Sequence, residues 1–247
     1  MEQGHEFLAR LGKTKLRPGG IDGTNWLLSQ VDINEETKIL EVACNRAVNM
    51  IDWAKKYNCH IEGIDAYDIA IEDAKENIEK ENLGNLLNVQ IGNAMDLPFE
   101  DETFDIVINE AMLTMMNDIS KEKCIKEYYR VLKKGGKLLT HDICIENISE
   151  DFLREMRAIL NIPVAPLPLK SWLEKYENAG FEKIDYKIGE LKFLSEEGLL
   201  RDEGKEGFER IMENAMKPEN IERFSKMRDF FDKDDLEFNY IVISSTK

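Results

Sequence analysis

The chain has 247 residues, a length that suits one large domain or two small ones. Hydrophobic residues make up 43% of it and charged residues 33%, so the composition supports a buried core and excludes a mainly disordered or low-complexity chain. The 33 basic and 49 acidic side chains give a net charge of −16, which repels phosphate backbones and anionic bilayers. We therefore expect neither a nucleic acid nor a membrane partner.

The N-terminus carries no apolar leader, and no stretch of the sequence is apolar over the length that a spanning helix needs. These features predict a cytoplasmic location. The cysteines show neither Cys-x-x-Cys pairing nor histidines at ligand spacing, so we expect no disulfide framework and no metal site. We expect all four to be reduced and mostly buried: Cys44, Cys59, Cys124 and Cys144.

Residues 1–30 combine an amphipathic segment with a basic stretch from Gly12 to Gly20. Because Pro18 stiffens this stretch and its glycines bend it, the preceding helix could fold over a cleft as a lid. The alternative is an ordinary surface loop whose basic residues balance acidic neighbours. Within a lid, Arg17 could pair with a carboxylate of a cofactor or substrate. A short helix is expected next, over 24–31.

From residue 38 to residue 144 the chain alternates between short apolar strands and amphipathic helices. Such alternation favours parallel pairing and right-handed crossovers, so it predicts a doubly wound α/β sheet with helices on both faces. Ser120 is expected to cap the third helix, and Gly135 and Gly136 to end it. Strands are predicted at 38–42, 61–65, 87–91, 104–109 and 137–141, with helices at 48–57, 69–81 and 121–133.

Beyond this region we predict helices at 149–160 and 169–179, a strand at 182–191, a helical insertion over 195–233 and a final strand at 237–244. The insertion carries methionine and phenylalanine residues at helical spacing, which is typical of simple packing. The alternative is a hydrophobic roof over an acceptor pocket or a dimer contact.

Two acidic residues stand where the first two strands end, and ligands of such sheets bind at the carboxyl ends of the strands. Glu41 lies at the end of the first strand, before a turn into a helix. Asp65 ends the second strand, about where a carboxylate accepts hydrogen bonds from ribose hydroxyls. The alternatives are a helix-capping aspartate and a surface glutamate.

Five segments, taken in order, resemble the class I S-adenosylmethionine-dependent methyltransferases: ILEVACNRA, IEGIDAYDIAIEDAKENI, VQIGNAMDLPFEDETFDIVI, YYRVLKKGGKLL and ENAGFEKIDY. The resemblance covers roughly residues 36–145. It implies a mostly parallel, Rossmann-like sheet of seven strands with an antiparallel last strand. We expect a single domain with an N-terminal lid (1–30), a cofactor-binding core (31–145), and substrate-side helices with the final strands (146–247).

The resemblance also implies roles for individual residues. The cofactor would be S-adenosylmethionine, leaving S-adenosylhomocysteine as product, and the acceptor a small molecule. A protein or RNA methyltransferase, or a noncatalytic module that binds the cofactor, stays open as an alternative, as does a homodimer. Glu41, Ala43, Cys44 and Asn45 would face the amino acid portion of the cofactor; Asp65 and Ala66 the ribose; Asn93, Ala94 and Met95 the adenine; and Asn109 and Glu110 the sulfonium and the substrate.

One departure from the family concerns its glycine-rich first motif, whose glycine positions are here Ala43, Asn45 and Ala47. An alanine methyl disfavours positive φ and asparagine tolerates it better, so we expect the loop to form along a slightly altered path. For a base, the candidates are Glu110 and His141. A histidine at a site mouth can take the acceptor's proton, although a lone histidine is more often structural.

Overall fold

The computed structural model of the chain describes residues 2–232 and 238–247. The strands are β1 (Lys38–Val42), β2 (His60–Asp65), β3 (Leu87–Ile91), β4 (Phe104–Glu110), β5 (Leu132–Cys144), β6 (Glu182–Glu190) and β7 (Asn239–Thr246). The helices are α1 (Gly4–Leu11), α2 (Gly20–Leu28), α3 (Val48–Tyr57), α4 (Asp68–Lys80), α5 (Asp118–Val131), α6 (Glu150–Leu160), α7 (Leu169–Ala179), α8 (Glu196–Ala215) and α9 (Ile221–Phe231). Lys233 at the end of the predicted insertion and Glu237 at the start of the predicted last strand lie outside the described residues.

The described residues form a seven-stranded sheet in the order β3-β2-β1-β4-β5-β7-β6. Strands β1 to β5 pair in parallel, whereas β7 is antiparallel to both β5 and β6. The predicted fold class, including the antiparallel last strand, is confirmed. Strand order reverses between β1 and β4, which places the ligand-binding crevice of such a sheet at their carboxyl ends.

Helices cover both faces of the sheet, as predicted. Helices α3 and α4 pack on one face through residues such as Trp53 and Ile71, and α5 and α7 pack on the other through Tyr128 and Trp172. A third apolar cluster joins α1 and α6 to the insertion helices α8 and α9. The methionine and phenylalanine stripe of the insertion therefore packs against the N-terminal helix.

The boundaries of α5 differ from the prediction. Its N-cap is Asn117, whose side chain accepts a hydrogen bond from the backbone N–H of Ser120 (2.9 Å), so Ser120 itself is not the cap. The helix ends at Val131, because Leu132 takes an extended conformation and pairs with Phe104 of β4. Gly135 has the positive φ that was expected (77°), but it lies within β5 and not at the helix end.

Helix α2 also starts earlier than predicted, at Gly20 instead of residue 24, and ends at Leu28. Two glycines allow its first turns to lie directly on the sheet. A methyl group on Gly19 would lie 2.7 Å from Nε2 of His141, and one on Gly23 would also collide with that imidazole. Within residues 2–232 and 238–247, no helix has the length and apolar character needed to cross a membrane.

Candidate functional site

The loop after β1 takes a glycine-type backbone without glycine. Ala43, Asn45 and Ala47 have φ values of 61°, 47° and 60°, all in the left-handed region. The backbone N–H of Cys44 donates to the carbonyl of Ile64 (2.9 Å), which holds the loop against β2. The left-handed conformation costs roughly 1–2 kcal/mol for an alanine, so the surrounding structure imposes it here.

Asp65 ties this loop to the end of β2. The side chain is 7% exposed; its Oδ2 accepts a hydrogen bond from the backbone N–H of Asn45 (2.9 Å), and its Oδ1 accepts one from that of Tyr67 (3.0 Å). Each oxygen of an ionised carboxylate has two lone pairs, so both oxygens keep the capacity to accept from a hydroxyl. Ala66 follows on the exposed side of the turn.

Glu41 is a buried carboxyl group and not a surface charge. It is 4% exposed, and its Oε1 accepts a hydrogen bond from Nδ2 of Asn49 (2.9 Å). Its Oε2 has no hydrogen-bond partner in the described part of the chain. Burial, with the nearby Glu110 adding to it, raises the pKa of Glu41 to about 8. The group is therefore mainly protonated at neutral pH and has a free oxygen.

Glu110 is the centre of a buried polar cluster beside Glu41. Its Oε1 accepts hydrogen bonds from Oγ1 of Thr24 (2.5 Å) and Nδ1 of His141 (2.9 Å). Its Oε2 lies 3.2 Å from Nη1 of Arg17 and accepts from Nδ2 of Asn49 (2.9 Å). Burial acts to raise the pKa of Glu110, but Arg17, His141 and Thr24 together outweigh it and lower the pKa to about 2. Glu110 is thus ionised and fully hydrogen-bonded.

His141 has both ring nitrogens in use and is completely buried. The backbone N–H of Gly19 donates to Nε2 (2.8 Å), so the proton is on Nδ1, which donates to Glu110. In this arrangement neither nitrogen is free to accept a proton. The predicted role of His141 as a base stays a prediction, and it requires Gly19 to move.

The segment from Gly12 to Gly20 lies in the site and is not a surface loop. Arg17 is 4% exposed and pairs with Glu110 of the protein itself. Glu203, in the insertion helix α8, accepts hydrogen bonds from Oγ1 of Thr14 (2.7 Å) and from the backbone N–H groups of Thr14 and Lys15. The insertion helices therefore hold the N-terminal segment over the carboxyl ends of the strands.

Asn109 and Glu110 face opposite sides of the sheet. This differs from the expectation that both face the sulfonium and the substrate. Because successive residues of a strand alternate, Asn109 lies on the side of α7, where its Nδ2 donates to Oγ1 of Thr140 (2.9 Å). The hydroxyl of Tyr176 donates to the same Thr140 oxygen (2.5 Å). Asn109 is therefore buried in a separate network.

The turn after β3 brings Asn93, Ala94 and Met95 close to Asp65, whose carbonyl accepts a hydrogen bond from the N–H of Gly92 (2.9 Å). Asn93 is exposed, and its Oδ1 accepts from the backbone N–H of Met95 (2.9 Å). An amide oxygen has a second lone pair, so Asn93 can still accept a donor from solvent or ligand.

His5, near the site, was not found from the sequence. A cavity of about 70 Å³ beneath α1 is lined by His5 and Asp142, among mostly apolar side chains. Burial lowers the pKa of His5, although Glu6 and Asp65 lie close enough to oppose this. The influence of Asp65 on His5 indicates that α1 lies near the carboxyl end of β2. The sequence offered no signal for His5, because its place depends on how α1 packs on the insertion.

Comparison with known proteins agrees with this geometry. A family described as a methyltransferase domain matches residues 39–136. The fold is similar to that of Haemonchus contortus phosphoethanolamine N-methyltransferase 2, solved with phosphomonomethylethanolamine and S-adenosylhomocysteine. That match has a TM-score of 0.79 at 19% identity and covers 99% of this chain and 57% of the other. The chain therefore carries a methyltransferase domain, with the fold of the class I S-adenosylmethionine-dependent methyltransferases. S-adenosylmethionine is the cofactor of this family.

Relatives of this methyltransferase differ in how much they share with it. A Haemophilus influenzae protein described as uncharacterized is 46% identical over 100% of this chain and 98% of its own length. The phosphoethanolamine N-methyltransferase of Plasmodium falciparum is 24% identical over 60% of this chain and 55% of its own length. The chain thus spans about half the length of that curated relative.

Proposed function

We propose that this chain transfers the methyl group of S-adenosylmethionine to a small-molecule acceptor. The observation that supports this most is the free Oε2 of Glu41, buried at the end of β1 just before the left-handed loop and near Asp65. A buried polar atom without a partner is rare in folded proteins and indicates a missing hydrogen-bond partner. The ammonium group of the cofactor's amino acid portion would be such a partner, because a positive charge beside Glu41 favours the ionised carboxylate, to which the ammonium group donates.

The other contacts follow from the same placement. Asp65 would accept from the ribose hydroxyls with Ala66 beside it, the Ala43–Cys44–Asn45 backbone would face the amino acid portion, and residues 93–95 would line the adenine. When bound, the cofactor supplies an electrophilic methyl group on a sulfonium. The chain's own task is then to align the acceptor and to exclude water.

We assign the exclusion of water to the N-terminal segment. In this division residues 1–30 form the cover, 31–145 hold the cofactor, and 146–247 supply the acceptor side and hold the cover in place. The hydrogen bonds of Thr14 and Lys15 to Glu203, and of Gly19 to His141, support it.

Glu110 is better suited to positioning than to proton transfer. A carboxylate with a pKa of about 2 and four donors holds a proton poorly near neutral pH. We propose that it orients Arg17, Thr24 and His141 beneath the cover. Asn109, on the other face of the sheet, supports β5 through Thr140.

A small acceptor is favoured by the net charge of −16, which disfavours RNA, and by the small volume of the cavity under α1, about 70 Å³. The phosphoethanolamine N-methyltransferases among its relatives are also named for a small acceptor.

The test uses S-adenosylmethionine labelled in its methyl group and a cell extract divided into small-molecule, protein and RNA fractions. We expect label to enter the small-molecule fraction with the wild-type chain and not with Asp65→Ala. Label in RNA or protein would contradict the proposal. Binding of the cofactor without transfer to any fraction would indicate a noncatalytic module.

A further inference from the structure

The cavity under α1, here called the α1 cavity, lies next to the proposed cofactor site but is a separate space. Its lining includes Pro18, which follows Arg17, and Ala111, which follows Glu110. The backbone N–H of Ala111 donates to the carbonyl of His141 (2.7 Å). The cavity therefore opens at the carboxyl ends of β4 and β5, where the polar cluster ends.

Most of the lining is hydrocarbon. It comes from α1 (Leu8), the segment after α1 (Leu16), the end of α6 and the loop that follows it (Leu160 and Ile162), the segment before α8 (Phe193) and the end of α9 (Phe231). A cavity of about 150 Å³ with such walls stays dry and binds benzene, so one of about 70 Å³ admits about three to five non-hydrogen atoms. Such a space suits the small apolar part of an acceptor.

Polar groups are confined to one end of the α1 cavity. Asp142 is completely buried, and its oxygens accept hydrogen bonds from the backbone N–H groups of Thr114 (3.0 Å) and Ile143 (2.8 Å). Nδ1 of His5 and Oγ1 of Thr114 have no hydrogen-bond partner among the described residues. This end thus offers several acceptors to a single incoming donor.

No lysine or arginine is among the described residues that line the cavity. The basic side chains around the cavity have other partners: Arg17 pairs with Glu110 (3.2 Å), and Nζ of Lys121 donates to the carbonyls of Met116 (2.8 Å) and Ala165 (2.6 Å). Lys13 lies between Asp202 (3.6 Å) and Glu203 (3.7 Å). A phosphate group, with a charge of about −1.5 to −2, would be buried here beside Asp142 without a counter-charge.

We infer that the α1 cavity binds the methyl acceptor and selects an unphosphorylated molecule, neutral or cationic, whose small apolar body carries one hydroxyl or amine directed at Asp142 and His5. This inference rests on the proposed function, because it assigns the cavity to the acceptor of that reaction. In this assignment, the absence of a basic side chain from the cavity lining determines the preference for an unphosphorylated acceptor.

The test compares three probes that share one apolar body: isobutanol, isobutylamine and isobutyl phosphate. Each is titrated by NMR into the full chain, with and without saturating S-adenosylhomocysteine, whose own binding is measured by calorimetry. We expect the alcohol and the amine to bind at least tenfold more tightly than the phosphate ester. Isobutyl methyl sulfone, a neutral control nearly as large as that ester, should also bind more tightly than the ester, because charge and not size excludes the phosphate.

Two variants locate the binding. Ile162→Phe places a larger side chain in the cavity wall, and Ile159→Phe makes the same change three residues away at a half-buried position outside the lining. We expect Ile162→Phe to weaken probe binding at least fivefold and Ile159→Phe to leave it within twofold. Both should bind S-adenosylhomocysteine like the wild type, which shows that they are folded.

The outcomes separate the two proposals. If S-adenosylhomocysteine binds but the phosphate ester binds as tightly as the alcohol, or no probe binds, or Ile162→Phe has no effect, then this inference is overturned and the proposed function stands. If the wild-type chain does not bind S-adenosylhomocysteine, the proposed function fails and this assignment fails with it.

Discussion

Replacing Glu41 with glutamine tests the electrostatics of the site through protein stability. The amide keeps an oxygen for Nδ2 of Asn49 and approximates the shape of the protonated carboxyl group. In the folded protein the pKa of Glu41 is about 8, whereas its ordinary value is 4.5. A raised carboxyl pKa stabilises the folded state fully below about pH 4.5, and this contribution is lost as the pH rises through about 8.

The size of the effect follows from the pH range between the two pKa values of Glu41, about 4.5 in the unfolded chain and about 8 in the folded protein. Between about pH 6 and about pH 8 the unfolded chain has released the proton and the folded chain retains it. Each pH unit then changes the free energy of unfolding by about 1.4 kcal/mol. We therefore expect Glu41→Gln to gain roughly 2–3 kcal/mol relative to the wild type between about pH 6 and about pH 9.

Urea unfolding of both proteins at the two pH values measures this difference, because groups that titrate alike in both proteins cancel. Glu36→Gln, at an exposed position, is the matched control and should show no such change. An unchanged difference between Glu41→Gln and the wild type at the two pH values would mean that Glu41 is already ionised in the fold. The reasoning about its burial would then be wrong.

Two further predictions concern backbone positions. Gly23→Ala should destabilise the fold by about 1–3 kcal/mol in urea unfolding, because its methyl collides with the His141 imidazole; Gly84→Ala, where a methyl meets open space, should be nearly neutral. Ala43→Gly should stabilise the fold by up to about 1 kcal/mol because it relieves a left-handed alanine, whereas Ala70→Gly within α4 should cost about 1 kcal/mol. A loss of stability in Ala43→Gly, or equal effects of the two glycine replacements, would contradict these assignments.

The strands of the sheet could be predicted because the pattern of apolar residues that indicates each strand lies within a short stretch of sequence. Each strand is a short apolar run between helical segments, and β1, β3 and α3 have the predicted bounds. The start of β5 was not predictable in this way. Leu132 continues a helical pattern in sequence, but its pairing with Phe104 of β4 ends the helix, and that contact is long-range.

The site was predictable where a residue directly ends a strand. Glu41 and Asp65 were found by position, and both lie at the crevice. The partners of Arg17 could not be read from the sequence, since Glu110 is far away along the chain. The placement of Asn109 differs because the strand was predicted to end at this residue, whereas β4 continues to Glu110, and alternation along the strand turns Asn109 to the other face.

We propose that Asp65 and the left-handed loop beside it bind S-adenosylmethionine. Calorimetric titration with S-adenosylhomocysteine measures this binding on the wild type, on Asp65→Ala, and on Asp68→Ala as a control at an exposed position in the first turn of α4. We expect the wild type and Asp68→Ala to bind one equivalent with similar affinity, and Asp65→Ala to bind at least tenfold more weakly. Equal binding by all three, or no binding by the wild type, would contradict the claim.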